Sequence, residues 1–85
     1  MRRYHETMAK EMERKLIGNC YVQDTKDGLC AVGFHDAYEP HLVIPDGVIW
    51  IDSYAFDRYY GLETVEIPNS VDYIGDHAFA RCSSL

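Results

Sequence analysis

Eighty-five residues, 47% of them hydrophobic, are enough for one small domain with a limited core, and no apolar run is long enough for a membrane-spanning helix. The net charge of −6 is uneven: residues 1–35 carry six Lys/Arg against five Asp/Glu, whereas residues 36–85 carry only Arg58 and Arg81 against nine acids. An acidic second half repels phosphate backbones, which argues against direct nucleic-acid binding and leaves two readings, a solubilising surface or a surface for a basic partner.

The opening MRRYHETMAKEMERK is charged and lacks the apolar segment of a secretory signal, so the chain is expected in the cytoplasm, or at the surface or secreted if it is a fragment. Tyr4, Met8, Met12 and Leu16 recur every fourth residue, with Glu6, Lys10, Glu11, Arg14 and Lys15 on the other faces. This spacing predicts an amphipathic helix over residues 1–18, stopped by Gly18 and Asn19. Its methionine stripe is expected to pack on its own domain, the other reading being an adaptable docking surface.

From Cys20 the hydrophobic period changes to two, and CYVQ and LCAVGF flank the turn-forming DTKDG. A β-hairpin cap with its connecting loop is therefore predicted over residues 19–41. With the turn centred on Lys26, Cys20 faces Val32 and Val22 faces Cys30, so these four form the inward side.

Residues 42–85 contain one pattern written twice. LVIPDGVIWIDSYAFDRYYGL is followed by VEIPNSVDYIGDHAFARCSSL, and eight positions, from Leu42 with Val65 to Leu62 with Leu85, pair at an offset of 23 (65 − 42 = 23). A fixed offset with variable polar residues between is the mark of stacked repeats whose units cannot bury their apolar faces alone. Each unit is expected to hold a strand ending at Ile-Pro, a second extended piece, and a short helix that is capped by Asp52 or Ser53 in the first copy and carries Ala55 and Phe56, or Ala78 and Phe79.

The second copy, with Ile67-Pro68, Val71 through Ile74-Gly75, Ala78-Phe79 and Cys82 through Leu85, resembles the leucine-rich repeats of the BspA type. The first copy departs where Asp52 replaces the motif glycine and Tyr59 replaces the motif cysteine. The resemblance implies an α/β (α+β) short solenoid: two repeats behind the helix and hairpin. It also implies a role in protein binding or adhesion of the kind found in bacterial surface proteins.

No catalytic motif, phosphate-binding loop or metal-ligand spacing appears among the four histidines and three cysteines. A non-enzymatic interaction module without cofactor or metal is expected, its cysteines reduced. Trp50 and Tyr73 share a repeat position and are the expected centre of the binding face, flanked by Val43 and Glu66. The alternative is a small acidic intracellular inhibitor, of phage or mobile-element type, that blocks a basic site on a larger complex. The last coil, with Ile67, Val71, Ile74, Phe79 and Leu85, is expected to present an open apolar edge through which two copies associate.

Overall fold

Gly18 and Asn19 reverse the chain and do not end a helix. In the computed structural model, which describes residues 14–85, Gly18 sits at φ 61° and joins β1 (Lys15–Ile17) to β2 (Cys20–Thr25) as an antiparallel pair. A glycine first in a two-residue turn suits the right-handed twist of paired strands, and Gly-Asn provides hairpin chemistry as readily as a helix stop. The helix expectation is thereby corrected at its C-terminal end: Leu16 pairs with Tyr21 in a strand and is exposed. Tyr4, Met8 and Met12 lie outside the described residues.

β2 pairs with β3 (Gly28–Phe34), as the alternating pattern predicts, but in a different register. The turn is the two residues Lys26 and Asp27, where Thr25 Oγ1 donates to the Gly28 carbonyl at 2.7 Å and accepts from the Asp27 N–H at 3.2 Å. Val22 therefore faces Ala31, and Gln23 faces Cys30. A slip of one residue sends every side chain of the strand to the opposite face. Ala31 enters the core in place of Val32, and a bulge past Val22 restores Cys20 opposite Phe34. Cys30 is buried yet stands outside the core cluster, which corrects its expected inward position.

Each repeat contributes two strands. β4 (His41–Val43) and β6 (Thr64–Glu66) form a two-stranded parallel sheet in which Leu42 pairs with Val65, and the Ile44 N–H adds a last bond to the Glu66 carbonyl before Pro45. β5 (Val48–Ile51) and β7 (Tyr73–Ile74) pair in parallel within a five-stranded sheet of order β1-β2-β3-β5-β7. β3 thus stands where a preceding repeat would place its strand. It pairs in parallel with β5, and a bulge at Ile49 lets both Val48 and Ile51 turn inward.

The expected short helices are absent, and no α-helix occurs among the described residues. After β5 the chain makes successive turns, with Asp52, Tyr54, Phe56 and Tyr59 carbonyls each accepting from the N–H three residues on. Tyr54 and Arg58 have φ of 60° and 66°, and their counterparts one repeat later, His77 and Arg81, have 59° and 57°. These left-handed residues interrupt helical winding and aim alternate amides at the neighbouring unit: Tyr54, Phe56 and Arg58 donate to the carbonyls of Asp76, Ala78 and Ala80. A helix would have closed those amides on itself. The α/β expectation is accordingly corrected to strands and turns.

The core runs between the sheets and the turns. Val22, Ala31, Leu42, Ile44, Val48, Ile51, Phe56, Tyr59 and Leu62 are all at most 2% exposed, with Val65, Val71, Phe79 and Cys82 packed at its open side. Phe56 and Phe79 stack at 5.3 Å between centroids, one per unit, so aromatic packing follows the repeat. Gly75 is required by close approach, because a Cβ there would lie 2.5 Å from the Ser53 nitrogen.

Candidate functional site

The parallel register of β5 and β7 sets Trp50 beside Tyr73, and that of β3 and β5 sets Cys30 beside Trp50. Directly paired residues share a face, so Cys30, Trp50 and Tyr73 form a row on the side of the sheet away from Ala31, Ile51 and Ile74. Trp50 is half-buried and Tyr73 is 60% exposed. The two aromatics line an open groove of about 400 Å³ with Ile49 as apolar wall and Asp27, Asp52, Ser53 and Asp72 around them. Gly28 brings the hairpin turn against Ile49, since a Cβ at Gly28 would meet Ile49 Cδ1 at 2.8 Å.

Three acids reach this groove from three elements: Asp27 from the β2–β3 turn, Asp52 from the end of β5, and Asp72 from the approach to β7. Sequence reasoning placed Asp27 in a turn and Asp52 as a cap, and gave Asp72 no role. Their meeting depends on β3 lying against β5, which no local pattern reveals. The Cys30 thiol lies beside the same groove and is pushed up to about 11, first by burial and then by the Asp52 carboxylate, with the Trp50 indole and the Asp52 amide opposing. A thiol so held is a packing group and a poor nucleophile at neutral pH.

Val43 and Glu66 pair with each other, but in the second sheet. They are exposed, and Val43 borders a separate depression with Asn19, His35, Asp36, Glu39 and His41. The neighbouring strand expected to carry them beside Trp50 belongs to another sheet, so a partner touching both pairs must reach across the Pro-containing corner. Ile67, Ile74 and Leu85 are 40%, 45% and 54% exposed along the outer unit, while Val71 and Phe79 are half-buried there.

The two departures from the repeat pattern have structural roles. Cys82 donates its thiol hydrogen to the Phe56 carbonyl at 3.1 Å, tying the second unit to the first. At the same repeat position, Tyr59 donates to the Glu39 carbonyl at 2.6 Å, accepts from Asn19 Nδ2 at 2.6 Å, and stacks on Phe34 at 4.4 Å. The longer side chain reaches the hairpin, which stands on that side of the first unit. Asn19 completes the tie by donating to the Asp36 carbonyl and accepting the Asp36 N–H. Asp52 makes through its backbone the bond to the Ala31 carbonyl, at 2.9 Å, that Gly75 makes to Ile51, and its carboxylate adds an acceptor for the Ser53 N–H at 3.0 Å.

All three cysteines are free thiols, and among the described residues no group of His, Cys, Asp or Glu is arranged to hold a metal ion. No helix among them is long and apolar enough to cross a membrane. Residues 32–85 match the family model for the BspA-type leucine-rich repeat region, a model of six copies, over well over half the chain. No curated protein and no solved structure matches.

Proposed function

Since the chain belongs to the BspA-type leucine-rich repeat family, a protein-interaction repeat, we propose that it binds a protein partner through the sheet face centred on Trp50 and Tyr73. The observation that carries this reading is the in-register pair itself: two large aromatics side by side at an open groove, on a face the core does not use. The few residues that dominate the affinity of protein interfaces are enriched in Trp and Tyr. Val43 and Glu66 are a second contact for a partner large enough to span both sheets. Replacing both aromatics in the variant Trp50→Ser/Tyr73→Ser should abolish capture of the partner identified by mass spectrometry, with the circular dichroism spectrum preserved. Retained capture refutes the reading.

The acidic half-chain favours a second reading, a blocker of a basic site on a larger complex. An interface driven by aromatic burial keeps its affinity as ionic strength rises, whereas an acidic blocker loses much of it.

A proposal about assembly rests on the exposed Ile67, Ile74 and Leu85: this edge packs against a second copy about a two-fold axis. Sedimentation over a range of concentrations tests it, and a strictly monomeric chain refutes it.

A further inference from the structure

We propose that the groove at Trp50 and Tyr73 takes an arginine side chain, presented by an extended basic segment of the partner. This rests on the sheet face being the binding face and names the chemistry it reads. The groove combines an apolar and aromatic floor with aspartates from three separate elements, and among the described residues no lysine or arginine lines it. The ion pairs among the described residues lie elsewhere, between Lys15 and Asp24 and between Arg81 and Asp57. Charge complementarity therefore selects a cationic occupant, and the open shape suits one side chain lowered from a segment lying across the sheet.

Arginine fits this chemistry better than lysine. A guanidinium is planar and weakly hydrated, so it stacks on an indole or phenol face while its edge N–H groups donate to carboxylates. An ammonium is a compact, strongly hydrated charge that gains less from the aromatic surfaces. The acidic character of residues 36–85 adds attraction at longer range.

Trp50 is the only tryptophan in the chain, so its indole N–H signal and its fluorescence report on this groove alone. The probe is the capped peptide Gly-Gly-Arg-Gly-Gly, compared with the same peptide carrying lysine or uncharged citrulline. The arginine peptide should shift the Trp50 signal saturably, with citrulline weaker by on the order of tenfold and lysine in between. Asp52→Asn and Asp72→Asn should each weaken arginine binding several-fold, while Asp46→Asn, outside the groove, should leave it unchanged. An equal response to citrulline, or none to arginine, overturns the proposal.

The two levels fail differently. If Trp50→Ser/Tyr73→Ser loses the partner but the arginine peptide leaves Trp50 unmoved, the binding face stands and the arginine assignment falls. If the double variant keeps the partner while the peptide binds the wild-type groove, the binding-face reading falls and with it the claim that the partner supplies the arginine.

Discussion

The two repeat units carry nearly the same apolar positions, yet they live in different surroundings. In the first, Ile51 and Leu62 are fully buried; in the second, their counterparts Ile74 and Leu85 are 45% and 54% exposed. The first unit lies between the hairpin and the second unit, whereas the second has a neighbour on one side among the described residues. A repeat sequence thus specifies which side chains face the stack, and the number of neighbours decides how deeply they are buried.

The largest test of this contrast is truncation of the stacked phenylalanines. Phe56→Ala should destabilise the chain by about 3–5 kcal/mol in urea unfolding, because it opens a cavity in a fully buried site. Phe79→Ala should cost about half that, since part of its ring already meets solvent. Equal losses would mean that the second unit is as well enclosed as the first.

Tyr59→Phe comes next. It keeps the stack on Phe34 but leaves the Glu39 carbonyl and one Asn19 hydrogen without their partner, a loss of about 1–2 kcal/mol. Cys82→Ala at the equivalent position removes a weaker donor and should cost less than about 1 kcal/mol.

The hairpin side should also carry a distinctive pH dependence. Burial pushes the Cys20 thiol up to about 12, with Cys30 adding to the rise, and pushes Cys30 up to about 11. An unfolded thiol titrates near about 8.5, so the stability these groups contribute is complete below that value and falls as pH rises toward their folded values. Thermal unfolding from pH 8 to 10.5 should show a progressive loss of stability, and Cys20→Ala should reduce the slope.

The smallest effect concerns the second unit's link to the first on the turn side. The Arg81 guanidinium grips Asp57 through two bonds of 3.0 and 2.8 Å and holds its carboxyl below the ordinary value. That contribution is present at neutral pH and is lost on acidification through the lowered value. Arg81→Gln should lower stability slightly at pH 7 and leave the acid end unchanged, so the acid limb of the stability curve flattens.

The 23-residue period was legible, and with it the registers of Leu42 with Val65, Val43 with Glu66 and Trp50 with Tyr73, because stacking preserves sequence spacing. The hairpin register was not, since Asp-Thr-Lys-Asp-Gly supports turns of two or three residues and only packing against β5 selects between them. Asp52 and Ser53 read equally as a helix cap or a turn opener, and the choice is made by amides that bond the next unit. The groove was half legible: its aromatics share a repeat position, while its acids share only a location in space.

The left-handed residues of the turns have a mechanical consequence. Besides the strand ladders, the first unit is joined to the second by a row of amides on its turn side, from Tyr54, Phe56 and Arg58 to Asp76, Ala78 and Ala80. Tension along the stacking axis therefore loads both flanks at once, like a hinge pinned on two sides, and a unit must release both rows before it can swing away.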